Sequence, residues 1–343
     1  MDKQVILAVA GSGKTQTILD RLTTSKRSLI ITYTHNNLNN LERRIVNRFG
    51  HFPAEFSLKR YFPFLYGFCT RALLADKLNI TGVLFETPSR YMGNTTSKDI
   101  AYYQTKRGYL YYNRIARLLK EQNLMPAIRN RISKYYDTVF IDEVQDFAGH
   151  DLNFICDLAT TESEMLLVGD FYQHTYDTSK DGNTNRTIYN DESKYRKKLS
   201  DSGYNIDDNS LNNSYRCSPQ ICEFVQEKLG ININSHKSSY GHIQIITDQR
   251  KADDLFHNAN VMKLFLQSHT SFPCTSDNWG ASKGRDDCRD VCVVLNPKTE
   301  KHLKNGNLQD LSPTTRNKLY VACTRASGNL YFVPAKMYRK YKV

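Results

Sequence analysis

Residues 5–15 read VILAVAGSGKT. The first part, Val5–Val9, is a short apolar run typical of a buried strand, and the Gly-Ser-Gly sequence that follows is typical of a tight loop. A helix is predicted directly after the loop, over Thr15–Thr23. This order predicts a sharp turn from a strand into a helix, where backbone N–H groups gather at the helix N-terminus.

Strand and helix patterns alternate along much of the chain. Helices are predicted at Asn37–Phe49 and Pro219–Leu229, the second ended by Gly230. Several of the predicted strands are continuous apolar runs, which are expected in parallel sheets covered on both faces. The sequence therefore predicts an α/β fold. The predicted strands are Val5–Val9, Leu29–Thr34, Thr138–Ile141, Met165–Val168, Ile243–Ile246, Val291–Leu295 and Leu330–Val333.

Composition sets the class of protein. The 343 residues predict about two domains, and 40% hydrophobic with 24% charged residues is typical of a globular chain. No apolar run reaches the length of about 18 residues that a spanning helix needs, so we expect no membrane partner and a cytoplasmic protein.

The net charge of +12 is consistent either with a nucleic-acid partner or with a solubilising surface. The eight dispersed cysteines favour free thiols over a zinc site.

Two segments interrupt the alternation. Residues 58–134 are aromatic and basic, and they form either an insertion that holds DNA or a helical subdomain whose tyrosines pack internally. Residues 178–213 are rich in Asn, Asp, Ser and Lys, which predicts a long loop or linker between two domains.

The glycine-rich loop predicts a phosphate site. The usual pattern G-x-x-x-x-G-K-[ST] has glycine where this chain has Ala8, a small residue that still permits close backbone approach. Lys14 is expected to reach the β- and γ-phosphates and Thr15 to bind Mg²⁺. A chance turn in a Gly/Ser-rich loop is the competing interpretation, which the strand–loop–helix setting disfavours. The residues expected to bind the nucleotide phosphates are Ala10, Gly11, Ser12, Gly13, Lys14 and Thr15.

A second signal follows the predicted strand Thr138–Ile141, which ends in the paired carboxylates of Asp142 and Glu143. Ligands of α/β sheets bind at the carboxyl ends of strands. Asp142 is a candidate for holding Mg²⁺, and Glu143 for orienting or deprotonating an attacking water. A solvated acidic turn is the competing interpretation.

Seven stretches in order resemble the motifs of superfamily 1 helicases of the UvrD/Rep type. The match to the acidic motif is more specific than an Asp-Glu pair, because it continues to Gln145 and Asp146. The stretches are AVAGSGKT at 8–15, ITYTHNN at 31–37, IDEVQD at 141–146, LVGDFYQ at 167–173, LNNSYRC at 211–217, SKG at 282–284 and LYVACTRA at 319–326.

The resemblance implies two RecA-like P-loop NTPase lobes with parallel β-sheets and ATP with Mg²⁺ in the cleft between them. The first lobe would span residues 1–205, with a small helical insertion at about 58–134, and the second lobe residues 206–343. Within the motifs, Gln173 would sense the γ-phosphate or the attacking water. Arg216 and Arg325 would contact the γ-phosphate as arginine fingers, because a guanidinium offers a fixed fork of donors to developing charge.

Further roles come from the same motifs. Tyr215 would stack on the adenine, and Gly284 of the SKG motif would belong to the nucleotide site. Tyr33, Thr34 and His35 are the candidates for contact with a DNA strand, since an aromatic ring stacks on bases without sequence preference. Tyr33 is equally consistent with a core residue beneath its strand.

The sequence departs from the family pattern in several places. Only nine residues precede Ala10, so the upstream glutamine motif that reads adenine is expected to be absent. Thr178 stands where the family has a DNA-stacking tryptophan. Ser214 and Cys217 replace the usual Asn and Ser. The 65 residues between Arg216 and Ser282 leave no room for the family's large second-lobe insertion. These departures concern DNA engagement and base selectivity more than phosphate chemistry.

Three functions remain open from the sequence. The first is a compact DNA-stimulated ATPase or helicase acting on single-stranded or tailed DNA. The second is a nucleotide-gated regulatory ATPase that controls a partner nuclease, a role for which small UvrD-like proteins resemble the Gabija GajB-like subunits of anti-phage defence systems. The third is a degenerate relative that binds nucleotide without turnover, which the presence of Lys14, Glu143, Gln173, Arg216 and Arg325 disfavours.

Overall fold

The computed structural model describes residues 2–88, 95–175, 181–285 and 287–343. The chain divides into two compact units. Unit 1 contains Met1–Ile6, Thr15–Gly169 and Tyr176–Asp207. Unit 2 contains Leu7–Lys14, Asp170–Thr175 and Asp208–Val343.

Unit 1 is built on a six-stranded sheet with the strand order β3-β2-β6-β7-β1-β8. Strand β2 pairs in parallel with β3 and β6, β6 pairs in parallel with β7, and β1 pairs in parallel with β8. All residues of β2 and β6 are buried, as expected for strands covered on both faces. The strands are β1 Lys3–Leu7, β2 Ser28–Thr32, β3 Phe56–Arg60, β4 Gly82–Leu84, β5 Tyr109–Tyr111, β6 Thr138–Ile141, β7 Glu164–Gly169 and β8 Asn205–Asp207.

The helices of unit 1 follow the strands along the chain. Helix α2 begins after Thr34, whose side-chain oxygen accepts from Asn37 N, and ends at Gly50 in the left-handed region. The helices are α1 Lys14–Arg21, α2 His35–Phe49, α3 Tyr61–Pro63, α4 Ala72–Leu78, α5 Ile100–Tyr103, α6 Ile115–Glu121, α7 Met125–Tyr135, α8 Gly149–Asp157 and α9 Glu192–Asp201, with a π-helix at Phe64–Arg71.

Unit 2 is built on a parallel five-stranded sheet with the order β11-β15-β14-β12-β13. Alternate residues of β14 pack on opposite faces: Val291 and Val293 join the core cluster that includes α10 and α13, whereas Cys292 and Val294 join the cluster that includes α11. The elements are β9 Asn213–Ser214, α10 Pro219–Leu229, β10 Asn234–Ser235, β11 Ile243–Ile245, α11 Gln249–His257, β12 Val261–Phe265, β13 Ser276–Asn278, β14 Asp290–Leu295, α12 Pro297–Lys304, α13 Pro313–Cys323 and β15 Leu330–Pro334.

The predicted α/β fold with parallel sheets and a helical insertion is confirmed. Each of the seven predicted strands overlaps an observed one, and α10 has the predicted bounds with Gly230 at its left-handed end. The insertion begins later than predicted, because Phe56–Arg60 is strand β3 of the main sheet. Among the residues that the structure describes, no helix is long and apolar enough to cross a membrane.

The prediction of a long loop at 178–213 is wrong for its second half. Helix α9 forms there because Asp191 caps its N-terminus and Glu192 pairs with Arg196 at 2.7 Å, one turn later. Tyr195 and Leu199, four residues apart, are buried and form an apolar stripe beside this pair. The segment is an amphipathic helix with only two buried positions, so its polar composition led to the prediction of a loop.

Strand β12 was missed for a related reason. Lys263 at its centre breaks the apolar run in the sequence, yet the residue is fully buried and its Nζ donates to Asn258 O at 2.8 Å. Burial lowers the pKa of the Lys263 ammonium. A hydrogen-bonded lysine inside a sheet cannot be told from an exposed one by sequence pattern.

Candidate active site

The glycine-rich loop has the backbone geometry that its sequence predicted. Gly11 and Gly13 have φ values of 71° and 93°, in a region that side-chain-bearing residues rarely adopt. The Val9 carbonyl accepts from Ser12 Oγ at 2.8 Å and from Lys14 Nζ at 3.3 Å. The Lys14 ammonium therefore lies back over its own loop and is largely buried.

This loop packs against the LNNSYRC stretch inside unit 2. Tyr215 N donates to Gly11 O at 2.9 Å, and Val9 N donates to Leu211 O at 3.0 Å. A Cβ added to Gly11 would lie 2.7 Å from Arg216 Cβ and 2.8 Å from Ser214 Oγ. Only glycine fits at this position, for reasons of both backbone conformation and space.

A buried tyrosine connects the same loop to the GDxxQ stretch. Tyr320 Oη accepts from Ala10 N at 2.8 Å and donates to Asp170 Oδ2 at 3.0 Å. Burial and the neighbouring Asp170 raise the pKa of the Tyr320 phenol well above its ordinary value. The phenol therefore keeps its proton at neutral pH and bridges the two segments.

Asp170 is also the anchor of Gln173. Its carboxylate accepts from Tyr172 N at 3.1 Å, which caps the short 3-10 helix Phe171–Gln173, and from Gln173 Nε2 at 2.8 Å. Both Asp170 and Gln173 are buried. The predicted γ-phosphate sensor thus has its amide orientation fixed by a carboxylate three residues earlier.

The two predicted arginine fingers lie at the C-terminal end of α13. Arg216 Nη1 donates to Thr324 O at 3.3 Å, and Arg325 Nε donates to Val321 O at 3.2 Å. Arg325 also donates to Arg285 O at 3.1 Å and is 2% exposed. Unit 2 therefore places Arg216 and Arg325 around one helix end.

Tyr215 is exposed, whereas Ser214 and Cys217 of the same motif are buried. The side chain is 63% exposed, and its ring stacks on His236 with 4.1 Å between centroids and 14° between planes. Ser214 Oγ accepts from the N–H groups of Arg216 and Cys217 at 3.2 and 3.1 Å, which holds the turn that carries Tyr215. The hydroxyl of Ser214 thus accepts the backbone hydrogen bonds of this turn, at a position where the family has asparagine.

Unit 1 holds the paired carboxylates at the end of β6. Asp142 is buried and its Oδ1 accepts from Glu143 N at 3.0 Å. Glu143 has a φ of 57°, which is strained for a residue with a side chain, and its Oε2 accepts from Gln145 Nε2 at 2.6 Å. A Cβ at Gly169 would overlap Gln145 Oε1, so Gly169 leaves room for that amide.

The residues predicted to contact DNA have different surroundings in unit 1. Thr34 is the N-cap of α2 and His35 is exposed. The Tyr33 ring is half-buried, stacked at 6.5 Å on Tyr61 and edge-on at 6.1 Å to Phe147. This packing favours the alternative that Tyr33 is a core residue. Thr178, which stands in the place of the stacking tryptophan, lies outside the described residues.

The SKG stretch is a turn packed against the core of unit 2. Ser282 Oγ donates to Trp279 O at 2.7 Å, and Gly284 has a φ of 84°. Trp279 is fully buried and its Nε1 donates to Leu264 O at 2.9 Å. The sole tryptophan is therefore a core residue and is unavailable for stacking on bases.

Several aromatic and basic side chains of the insertion contact other residues of unit 1. Asp181 accepts from Arg114 Nε at 3.0 Å and from Tyr102 Oη at 2.7 Å. The Arg114 guanidinium also lies 3.6 Å from the centre of the Tyr102 ring, and Tyr103 is buried. These contacts favour the alternative of a subdomain whose tyrosines pack internally.

The donor set fits a magnesium-bound triphosphate. A glycine loop with a lysine suits phosphate oxygens. Mg²⁺ typically takes one or two protein oxygens besides phosphate and water, and Thr15 and Asp142 offer a hydroxyl and a carboxylate. Among the residues of the described ranges, no cluster of three or more His, Cys, Asp or Glu could form an all-protein metal cage.

A known family matches a part of the chain that carries two of the seven motifs. Residues 88–195 match the UvrD/REP helicase N-terminal domain. The resemblance to the UvrD/Rep helicases is confirmed. The matched range of this UvrD/Rep-like chain includes Asp142, Glu143 and Gln173, whereas Arg216 and Arg325 lie beyond it. The chain is thus helicase-like in sequence.

Two viral helicase structures are similar at low identity. The structure of PRRSV helicase has 13% identity and a TM-score of 0.48, covering 98% of this chain and 53% of that one. The complex of Arterivirus nonstructural protein 10 (helicase) with DNA has 13% identity and a TM-score of 0.49, covering 97% of this chain and 60% of that one. This chain therefore spans little more than half the length of either helicase. No curated protein sequence matches it.

Sequence reasoning missed two residues of this region. Tyr320 lies inside the closing motif but received no role, because the pattern does not reveal which buried groups its hydroxyl meets. His236 gave no signal, since it is one of nine histidines and lies outside every motif.

Proposed function

We propose that this chain is an ATP-hydrolysing translocase or helicase of the UvrD/Rep type, acting on single-stranded or tailed DNA. The observation that carries the proposal is the hydrogen-bonded set in unit 2, in which Ala10, Asp170 and Tyr320 connect three separate motifs. Motif residues that merely resembled a family would have no reason to meet through buried hydrogen bonds.

The proposed lobes are residues 1–205 and 206–343. The phosphate loop and Gln173 come from the first of these sequence halves, and Arg216 and Arg325 come from the second. A nucleotide bound by groups from both halves would hold them together while the γ-phosphate is present, and its hydrolysis would release that link. This dependence on the γ-phosphate is how such proteins convert hydrolysis into movement.

The proposed chemistry assigns one role to each group. Lys14 and the loop amides bind the phosphates, Glu143 orients and deprotonates the attacking water, and Gln173 orients that water against the γ-phosphate. Mg²⁺, held through Thr15 and Asp142, would neutralise phosphate charge. Arg216 and Arg325 stabilise the charge that develops on the transferred phosphoryl group, an effect on the order of 10³–10⁵ in rate for an arginine finger.

The strained backbone at Glu143 supports its assignment as the base. A left-handed conformation at a residue with a side chain costs roughly 1–3 kcal/mol and persists where surrounding structure fixes it. Here the Glu143 carboxylate accepts from the Gln145 amide, and Gly169 leaves space for that amide. The carboxylate is thereby pre-oriented rather than free to rotate.

The alternative function is a nucleotide-gated regulatory ATPase that controls a partner nuclease in anti-phage defence, without processive unwinding. One observation favours it: Tyr33 and the insertion residues Tyr102 and Arg114 are engaged in internal packing. Fewer groups are then available to grip a strand, while the nucleotide chemistry is unaffected.

The test is phosphate release by the purified chain with ATP and Mg²⁺, in the presence and absence of single-stranded DNA, followed by strand displacement on a tailed duplex. The proposed function expects turnover that DNA raises at least about tenfold. Turnover that ignores DNA but changes with a co-purified protein would favour the regulatory alternative. Absence of turnover under both conditions would contradict both.

A further inference from the structure

Two aromatic rings beside the phosphate loop are fixed by the register of a small parallel ribbon. In unit 2, Asn213 pairs with Asn234 and Ser214 pairs with Ser235. The next residue on each strand is therefore Tyr215 on one and His236 on the other. The backbone of both is anchored, since His236 N donates to Ser214 O at 2.9 Å and Tyr215 N donates to Gly11 O at 2.9 Å.

The rings lie face to face. Their centroids are 4.1 Å apart and their planes differ by 14°, which leaves no space for a third ring between them. Tyr215 nevertheless remains 63% exposed. One face of the phenol is covered by the imidazole, while much of the side chain is open to solvent.

We propose that His236 positions Tyr215, the residue that the family resemblance assigns to stacking on the adenine, so that the two rings form a platform for the base of a nucleoside triphosphate. This inference rests on the proposed function, because it assumes that the loop at Gly11 binds the triphosphate. The base occupies the outer face of Tyr215, and the order is imidazole, phenol, base. His236 lies outside the motifs that carry the resemblance.

The physical reason is pre-organisation. An exposed tyrosine samples several rotamers, and a ligand that stacks on it must first stop that motion. The imidazole stacked behind Tyr215 holds the phenol in one orientation before the nucleotide arrives. The hydrogen bond from Tyr215 N to Gly11 O fixes the backbone of Tyr215 relative to the loop that would bind the phosphates. The distance between the base site and the phosphate site is thereby fixed as well.

The platform also defines what is recognised. A stacked ring contacts the π-face of a base, which every base has, and does not read the hydrogen-bonding edges. The ligand class is therefore a nucleoside triphosphate with weak base discrimination, in which larger purine rings bind more strongly than pyrimidines.

The experiment compares ATP with inorganic tripolyphosphate, which carries the phosphates but no base, using the full chain. For His236→Ala we expect the ATP KM to rise about 3- to 10-fold, from the loss of one aromatic stacking contact. We expect kcat to change less than about twofold and the inhibition constant of tripolyphosphate to stay constant. His236→Phe, which keeps a flat ring, should restore the ATP KM.

The matched control is His242→Ala, which removes an exposed histidine of the same unit that lies outside the ring pair and the site. It should leave both constants unchanged. A purely structural role for His236 predicts that His236→Ala weakens ATP and tripolyphosphate equally, and that result would overturn the inference. So would an unchanged ATP KM in His236→Ala alongside a raised KM in Tyr215→Ala.

The failure of the proposed function has a different signature. If the wild-type chain bound neither ATP nor tripolyphosphate, the nucleotide site itself would be refuted and the platform with it. If the wild type binds both ligands and His236→Ala leaves the ATP KM unchanged, the proposed function stands and the role of His236 is refuted.

Discussion

The phenol of Tyr320 donates a 3.0 Å hydrogen bond to the carboxylate of Asp170, and both residues are buried. The same oxygen accepts from the Ala10 amide in the phosphate loop. One hydroxyl thus satisfies a carboxylate and a backbone N–H from two motifs that lie 150 and 310 residues before it in the sequence. The motif at residues 319–326 thereby supplies a hydrogen bond to the phosphate loop through Tyr320, in addition to Arg325.

Replacement of Tyr320 by Phe should test this bridge. The change leaves the buried Ala10 amide without this acceptor, at a cost of about 1–3 kcal/mol for an unsatisfied group. Asp170 loses one hydrogen bond and keeps those from Tyr172 N and Gln173 Nε2. We expect the free energy of unfolding, measured in urea, to fall by an amount of that order and ATP turnover to fall with it.

Tyr338→Phe is the control for Tyr320→Phe. Tyr338 is an equally buried tyrosine of unit 2, and its hydroxyl meets Cys292 Sγ at 3.6 Å, a weaker contact. It should cost less stability and leave turnover unchanged. Equal losses in the two variants would show that the bridge has no special role.

Gly11→Ala should be far more damaging than an alanine at a glycine with similar backbone geometry. Gly11 and Gly306 have φ values of 71° and 70°, so both substitutions introduce the same backbone strain. Only at Gly11 would the new methyl group meet Arg216 and Ser214; nothing lies within 4 Å of the corresponding position at Gly306.

The measurement for this pair is thermal unfolding together with ATP affinity. Gly306→Ala should lose roughly 1–2 kcal/mol, the cost of a left-handed residue with a side chain, and keep its ATP affinity. Gly11→Ala should lose more stability and most of its affinity. A Gly11→Ala protein that behaved like Gly306→Ala would mean that the loop does not pack against the Arg216 stretch.

Arg216→Lys tests the role of the guanidinium fork. Lysine keeps the positive charge but presents a single ammonium, which cannot donate two parallel hydrogen bonds to phosphate oxygens. We expect kcat for ATP hydrolysis to fall by at least about 10²-fold with a much smaller change in KM, because the lost interaction belongs to the transition state.

Arg289→Lys provides the comparison for Arg216→Lys, since Arg289 is an exposed arginine of the same unit outside the motifs. It should retain wild-type kcat. A change in KM alone for Arg216→Lys would indicate that Arg216 contributes to ground-state binding and not to catalysis.

The α/β fold was predictable because its central strands are continuous apolar runs. The edge strand β3 was not, since Lys59 and Arg60 give it no such run and an edge needs only one partner strand. Helix α9 was not predicted because charged residues, which pair with one another four residues apart, surround its two buried positions. In each case the missing information was which face a polar residue occupies.

The site was partly predictable for a different reason. Glycine, lysine and paired carboxylates have chemistry that is written in residue type and spacing, so Lys14, Asp142 and Glu143 could be named from the sequence. The bridge through Tyr320 and the stack of His236 on Tyr215 depend on which distant segments meet. Only the tertiary structure supplies that.

Single-turnover phosphate release by Glu143→Gln, measured beside wild type, tests whether the chain hydrolyses ATP with Glu143 as the base. The amide keeps the shape of the side chain but cannot accept a proton at neutral pH. We expect Glu143→Gln to bind ATP within about threefold of wild type and to hydrolyse it more slowly by about 10²-fold or more. Full hydrolysis by Glu143→Gln would contradict this role of Glu143.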